Sequence, residues 1–538
     1  MQEQRTTPYT KVYSSSEARK HLFLGLETVA EAVSATLGPK GRCVLIQRDG
    51  ESPIVTKDGV TVSKSINLRD PVSRMGAQLI KEAASQTNDV AGDGTTTSTV
   101  LTHALVKSGL KLLEAGYSPK ELTDGVERGT ETVLELLRSM SRSLTSTEEI
   151  AQIATISANG DQKIGEILAD AMEKVGRDGI ITVEEAKGMN TSLEIVEGMQ
   201  FDRGYLSPYF VTNSEKMNVV YSDARVLLVD GKISSMREMI PLLEKTSQTK
   251  TPLLIIADDV EGEALQGLVV NRVNGSLPVV AIRSPGYGQH KEELLRDISV
   301  VTGGRIVSPT TGMKLSDMKL SDLGVLKKVV VDSKSTTLVA GGATKEAVDK
   351  HVSDLRSQMH NITLTGEELH KLRMRVARLA NGVALIKVGG ATEMEMIERK
   401  HRLEDALHAT RAAAEEGIVP GGGMALFNVW MEFNRRSETV EVSPGEKIVL
   451  EACLAPIKRI AENAGQSKDV IVNELMRRKS DDSLGYNAAT GEYVDMLQCG
   501  VIDPVKVTRT ALRNASSVAI TFLSLDAVIV EDTSYVNE

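Results

Sequence analysis

The sequence predicts a multidomain α and α/β protein, with a mainly helical domain written by both chain ends and an α/β domain inserted between them. Three observations lead there. The chain has 538 residues, more than one hydrophobic core usually organises, so two or three domains are expected. Its first part reads as helix, glycine turn, helix, with no alternating strand–helix run. Its middle reads as apolar strand-like runs separated by helical stretches, and helices return beyond them.

Taken in order, residues 17–37 place apolar side chains at helical spacing and stop at Gly38-Pro39. Two short strand-like pieces follow, at 43–47 and 53–56, turned by Asp58-Gly59. A helix over 72–88 is interrupted by AGDGTTT at 91–97 and resumes over 98–115. Strands are expected at 179–183, 225–230, 252–257, 278–283, 304–308 and 327–332, within an α/β domain of roughly 197–383. Helices are expected at 363–380 and 393–416. A glycine cluster at 421–423 leads into more helix, and short strands are expected near 519–530.

Composition narrows the function classes. The formal net charge of −10 argues against a general nucleic-acid binder. Aromatics make up 3%, with Trp430 the single tryptophan, so packing must be aliphatic. Cys43, Cys453 and Cys499 form no Cys-x-x-Cys pair and read as thiols of a reducing compartment. No apolar run reaches membrane-spanning length, and the polar leader lacks a signal-peptide core, which makes the cytoplasm the expected location.

Four glycine-rich clusters are candidates for chemistry: Thr36-Leu37-Gly38-Pro39, Thr56-Lys57-Asp58-Gly59, the stretch from Ala91 to Thr97, and Pro420 to Gly423. In the third, Gly92 and Gly94 allow close backbone approach, and Thr95, Thr96 and Thr97 stand where a helix should begin. Amides and hydroxyls at a helix start hold phosphate oxygens. Asp93 beside them would repel phosphate unless Mg²⁺ lay between. The competing reading is a surface loop followed by a capped helix. There is no GxxxxGKS/T run, no GxGxxG at a strand–helix junction and no HExxH. His401 and His408 share a helix face without completing a zinc pattern, and read as structural or as a subunit contact.

Together these clusters resemble the group I chaperonins, the GroEL family, from about Glu17 to about Glu531. The likeness runs through KDGVTVSKSI at 57–66, NDVAGDGTTTSTV at 88–100, VEGMQFDRGYLSPYF at 196–210 and ADDVEGEALQGLVVN at 257–271. It continues through LEDALHATRAAAEEGIVPGGG at 403–423 and GYNAATGEYVDMLQCGVIDPVKVTR at 485–509. The resemblance implies a three-domain subunit. An equatorial domain would comprise 1–139 and 416–538, a small intermediate domain 140–196 and 384–415, and an inserted α/β apical domain 197–383. It also implies a seven-membered homo-oligomeric ring, single or stacked as a double ring, with a smaller co-chaperonin and unfolded polypeptides as partners, and no nucleic acid or membrane.

By the same resemblance the chain uses ATP, Mg²⁺ and K⁺. Thr36, Leu37, Gly38 and Pro39 would line the nucleotide, Asp93 would ligate Mg²⁺, and Gly94, Thr95, Thr96 and Thr97 would wrap the phosphates. Thr36, Lys57 and Thr96 match positions around a potassium ion. Gly422 would lie against the ribose, with Asn487, Ala488 and Asp503 at the adenosine end. Asp405 matches the carboxylate that positions the attacking water, and Asp58 a second one near the γ-phosphate. Gly198, Gly382 and Gly417 are hinge candidates, and Arg203 with Glu393 matches an ion pair between neighbouring subunits.

In the middle domain, Ser235 and Glu238 are spaced as a capping box opening a helix with Ile240 and Leu243. A second helix carries Leu265, Val269 and Val270, and Tyr205, Tyr209 and Phe210 precede both. Spacing alone assigns these residues to a core. The resemblance assigns them to an exposed groove that binds apolar polypeptide and the co-chaperonin's mobile loop.

Some features depart from the family. The sequence closes on DTSYVNE without Gly-Gly-Met repeats, Asn381 and Pro420 stand at unusual positions, and the leader is longer and more polar. The 427–447 connection is unusual, and GQSKDVI at 465–471 replaces a more acidic segment that contacts the opposite ring. Two functions follow: an ATP-cycling foldase, or a divergent relative that holds or scaffolds proteins with weak cycling.

Overall fold

The computed structural model of the chain describes residues 10–47, 53–158, 160–176, 179–186, 188–196, 198–214, 216–308, 312–342, 345–359, 366–380, 382–437, 442–478 and 483–531. The first nine residues, Asn381 and the closing DTSYVNE lie outside the described residues. The fold divides into two compact units. The first joins Met1–Asp170 to Ala391–Glu538, and the second is the intervening stretch Ala171–Gly390.

The first unit is built on long helices, among them Ser15–Ser34, Pro71–Ala91, Thr95–Glu114, Pro119–Ser139 and Val505–Ser524. Their ends follow local chemistry. Asp70 accepts the Ser73 N–H at 2.7 Å with Pro71 in the first turn. Ser443 and Glu446 form a reciprocal capping box at the start of helix Pro444–Cys453. Each helix turns an aliphatic stripe inward, and Leu26, Ile80, Leu101, Leu137, Leu512 and Phe522 meet in one core without solvent exposure. Four short antiparallel strand pairs trim this unit, among them Thr10–Ser14 with Ala527–Glu531, and Val44–Ile46 with Ile54–Thr56.

The second unit carries a seven-stranded mixed sheet. Strands Val279–Arg283, Leu253–Ala257 and Val219–Val229 run parallel, and Ile306–Val307 pairs parallel to the end of Val219–Val229. On the other side of Val219–Val229, strands Gly324–Val331, Thr336–Ala340 and Gly198–Phe201 follow antiparallel. Leu253–Ala257 is buried at every residue, as a strand covered on both faces must be. A separate three-stranded sheet sets Val383–Val388 between Ile180–Glu185 and Ser192–Val196.

Three expectations are corrected. The strand expected at 179–183 exists, but belongs to the small sheet and not to the large one. The region near 519–530 is helical through Ser524, and only Ala527–Glu531 is strand. Alternating burial at 527–531 extends the β pattern backwards in sequence, whereas Ala519, Phe522 and Leu523 are buried on a helical repeat. The Ser235/Glu238 capping box does not form. The helix starts at Ile240 behind Met239, with no side-chain cap. Among the described residues no helix is long and apolar enough to cross a membrane.

Candidate functional site

The first unit gathers most of the clusters singled out in the sequence. Helix Ser15–Ser34 ends in a tight turn in which the Thr36 and Leu37 amides donate to the Val33 and Ser34 carbonyls. Asn463, on helix Ala455–Asn463, fixes this turn by donating to the Ser34 and Leu37 carbonyls, each at 2.9 Å. Gly38 follows with φ +83°.

Asp58 caps the short helix Gly59–Ser65, accepting the Val60 and Thr61 amides at 3.1 and 2.9 Å and the Thr61 hydroxyl at 2.6 Å. Gly59 must be glycine for a steric reason: a Cβ there would stand 2.5 Å from the Thr96 Oγ1 and 3.0 Å from the Thr95 Oγ1. The Asp58-Gly59 turn therefore lies directly on the threonine run.

That run begins a helix, as its sequence suggested. Thr95–Glu114 starts behind Gly94, whose φ of +85° is a left-handed conformation and which brings no capping side chain. Its first-turn amides lack the side-chain acceptor that Asp58 gives the neighbouring helix, and such amides suit an anion. A Cβ on Gly94 would lie 2.6 Å from the Val507 Cγ1, so the turn is closed from behind by helix Val505–Ser524.

Three carboxylates share this neighbourhood. Asp93 accepts the Gly94 amide at 2.5 Å and the Ser157 hydroxyl at 3.4 Å. Burial pushes the Asp93 carboxyl above its usual range, and the Asp58 charge adds to the rise against those two hydrogen bonds. Asp503 lies on Ile502–Pro504, paired with Ile418–Pro420. Burial, reinforced by Asp93, raises its pKa to about 6, against the Gly422 amide that it accepts. Gly422, Asp503 and the Asp93 turn are thus neighbours.

Asp405 is half-buried on helix Glu393–Glu416, which packs against the helices Thr147–Ser157 and Pro71–Ala91. One turn further on, His408 sits where a Cβ on Gly92 would come within 2.3 Å of its own Cβ. Asp405 and His408 share a helix side, which directs the Asp405 face towards the Asp93 turn. His408 therefore approaches the turn through its Cβ and is itself exposed. Lys57 is half-buried beside Asp58, Pro39 is exposed, and Asn487 and buried Ala488 close the short strand Leu484–Asn487. Ser157 and Asn463 carry no local signal in the sequence: both are ordinary polar residues, recruited by folding from far along the chain.

The donor set fits a hard cation shared with phosphate. Among the described residues no three His, Cys, Asp or Glu side chains stand together as a self-sufficient metal site. Mg²⁺ characteristically takes one or two carboxylates and completes its shell with phosphate and water oxygens. Clustered carboxylates beside uncapped amides match that pattern.

In the second unit, Ile240 and Leu243 lie on helix Ile240–Thr249, while Leu265, Val269 and Val270 lie on Gly262–Val273. A cleft of about 570 Å³ is lined by Ile240 and Leu243. Tyr209, Ile240 and Val270 are exposed at 70, 43 and 56%. The expected exposed groove is corrected at two positions, since Phe210 and Leu243 are buried at 0 and 6% exposure and belong to the core. Phe210 anchors its 3₁₀ turn under the sheet, a use for a large aromatic that spacing does not separate from display. Tyr205, Leu265 and Val269 are half-buried against the same core.

The hinge candidates Gly198 and Gly382 lie in the second unit, and Gly417 in the first. Gly382 and Gly417 have φ of +62° and +83°, and Gly198 has no such requirement. Arg203 reaches the Ser284 carbonyl at 3.3 Å and lies over the Tyr287 ring. Glu393 begins its helix behind Thr392.

The fold carrying these features, a mixed multidomain α/β architecture, is that of the chaperonins. The chain belongs to the TCP-1/cpn60 chaperonin family, whose model matches residues 29–533. The group I motifs quoted above lie within that span or at its start. Among solved structures it is similar to the chaperonin gp146 from the bacteriophage EL 2 (Pseudomonas aeruginosa), determined in the presence of ATP-BeFx. The TM-score is 0.67 at 22% identity, covering 97% of this chain and 99% of that one. Family membership carries a chaperonin-type folding function and ATPase activity in general.

Proposed function

We propose that the chain is the subunit of an ATP-driven ring chaperonin that binds non-native polypeptides and promotes their folding with a smaller co-chaperonin. The observation that carries this reading is the convergence of Asp58, Asp93 and Asp503 on a threonine-rich helix start that has no cap of its own.

In this reading the amides and hydroxyls of Thr95, Thr96 and Thr97 hold phosphate, and Asp93 holds Mg²⁺, oriented by Ser157 and the Gly94 amide. Thr36, Lys57 and Thr96 surround K⁺. The bound cation supplies charge neutralisation and polarisation of the transferred phosphoryl group. Asp405 orients the attacking water and takes up its proton, and Asp58 assists from the opposite turn. Leu37, Gly38, Pro39, Gly422, Asn487 and Ala488 enclose the nucleoside. The proposal divides the chain further, with 140–196 and 384–415 as an intermediate domain hinged at Gly198, Gly382 and Gly417, and the boundaries of the two units fall within both of those segments.

Ring assembly has its own support. Val12 faces Ile529 across one strand pair and Leu45 faces Val55 across another, and all four are more than half exposed. Isolated two-stranded pairs with apolar faces are marginal in water. Docking one pair on a neighbour's other pair is a head-to-tail contact, and such contacts give a ring when the rotation between subunits closes. The proposed location is the cytoplasm. Lys468 within GQSKDVI pairs at 2.7 Å with Glu462 of its own unit, which favours weak pairing between rings and keeps the holding or scaffolding function as the second reading.

Steady-state ATP hydrolysis of the wild type beside Asp405→Ala tests the proposal. The variant is expected to bind nucleotide and lose turnover. Assembled wild-type particles that bind ATP without hydrolysing it would establish the second reading instead.

A further inference from the structure

We propose that the cleft of the second unit selects, among apolar segments, those that carry an arginine or lysine next to the apolar anchor. This rests on the reading of the cleft as the polypeptide-binding site and adds a charge preference to it.

The cleft lining is of two chemical kinds. Met236, Ile240, Leu243 and Leu277 are apolar, while Glu244, Ser247, Gln248 and Asn271 are polar. Residues 240, 243, 244, 247 and 248 share one side of helix Ile240–Thr249, so the change from apolar to polar runs along the helix axis. Ser247 donates its hydroxyl proton to the Ser276 carbonyl at 3.0 Å, and Asn271 donates to the Gly267 carbonyl at 2.8 Å. The Ser247 oxygen and the Asn271 side-chain carbonyl keep accepting capacity, while the second Asn271 N–H and the Gln248 amide can still donate, so it is the charge at the polar end that discriminates. Glu244 is exposed and adds a carboxylate that has no ion-pair partner among the described residues. None of the described lining residues is basic, and Arg272 on the neighbouring helix is turned to the Val211 carbonyl.

The formal charge carried by the described lining is the Glu244 carboxylate, with no matching cation, and it calls for a donor-rich positive group. Guanidinium offers five N–H donors and ammonium three, so arginine should outrank lysine. The spacing is also set. Ile240 and Glu244 are one turn apart, about 6 Å along a helix axis. In an extended segment that distance separates side chains two residues apart on the same face. The preferred occupant is therefore an extended segment of the pattern apolar-x-Arg, its apolar side chain against Ile240 and its cation against Glu244.

The test uses the full-length assembled protein without nucleotide and three dye-labelled peptides. They carry Leu-x-Arg, Leu-x-Ser or Leu-x-Glu in a common glycine–serine background, and binding is read by fluorescence anisotropy. The arginine peptide should bind about 2- to 5-fold more tightly than the serine peptide, the range of a partly exposed charge pair, and the glutamate peptide more weakly than either. Glu244→Gln should remove the arginine advantage and leave serine-peptide affinity unchanged. Glu244→Lys should reverse the order. Equal affinities for all three peptides, or an arginine advantage surviving Glu244→Gln, overturn the charge preference while the cleft remains a binding site. Ile240→Ser separates the two claims: if it leaves every peptide bound as before, the polypeptide-binding reading of the cleft itself fails.

Discussion

Replacing Asp503 by asparagine should stabilise the nucleotide-free protein, and only at neutral pH. The carboxyl is raised from an ordinary 3.8 to about 6 by burial and by Asp93. Because the folded value lies above the unfolded one, the fold prefers the protonated acid. The penalty is absent below about pH 4, grows as pH rises through the interval, and is complete above about pH 6. A rise of about two units corresponds to about 3 kcal/mol at most, at about 1.4 kcal/mol per unit. Asparagine keeps the shape and still accepts the Gly422 amide, so the comparison isolates the charge. Apparent unfolding midpoints of both proteins, measured from about pH 4 to about pH 7.5 without nucleotide, should coincide at the acid end and separate towards the neutral end. A difference that does not vary with pH, or a variant less stable at neutral pH, would refute the assignment of a strained carboxylate at Asp503.

Three further outcomes follow from the same coordinates. Gly94→Ala should lose nucleotide affinity by calorimetry and lower the thermal midpoint. It places a Cβ 2.6 Å from Val507 at φ +85°, a strain of about 1–3 kcal/mol; unchanged binding would mean the turn tolerates remodelling. Arg375→Ala should destabilise the second unit by about 3–5 kcal/mol, measured by urea unfolding and by faster amide exchange in helix Gly288–Thr302. Asp297 is fully buried, accepts two Arg375 bonds at 2.8 Å, and among the described residues would retain His351. ADP and Mg²⁺ together should stabilise the fold well beyond either alone, by about 2.7 kcal/mol at a hundredfold excess over the dissociation constant, read as a higher thermal midpoint. ADP in a chelator stabilising equally well would remove the cation from the site.

The long helices and the parallel strands were legible because their signals are local. An apolar stripe at helical period ending in Gly38, or a continuous run such as Leu253–Ala257, states its own environment. The weaker strands Ser192–Val196, Gly198–Phe201 and Thr336–Ala340 were not anticipated. Ser192–Val196 and Gly198–Phe201 pair with Val383–Val388 and Thr336–Ala340, well over a hundred residues further along the chain, and Thr336–Ala340 also closes a hairpin with Gly324–Val331. The candidate site was legible as clusters and not as a site. Nothing local in Asp58, Asp93 or Asp503 tells that they share one neighbourhood, and only the resemblance linked them in advance. Phe210 and Leu243 show the converse limit: at these two positions spacing pointed to a core, as burial shows, and the resemblance pointed to a binding surface.

The site's chemistry and its instability have one origin. A first turn behind Gly94 holds open amides because glycine cannot cap them, and a serine or aspartate there would fill the place an anion needs. Asp93 stands one residue away, and its charge opposes the phosphate that those amides attract. Asp58 and Asp503 deepen the conflict, each adding charge where burial already disfavours it. Neither phosphate nor cation satisfies the whole set alone: phosphate meets the amides and repels the carboxylates, and a cation meets the carboxylates and leaves the amides open. In the proposed function only the pair resolves both, and the proposal therefore expects selectivity for a complexed nucleotide through repulsion as much as attraction. Asp405 and Ser157 lie on helices packed around that turn, so the conflict and its relief bear directly on the helix that carries the proposed water-orienting carboxylate.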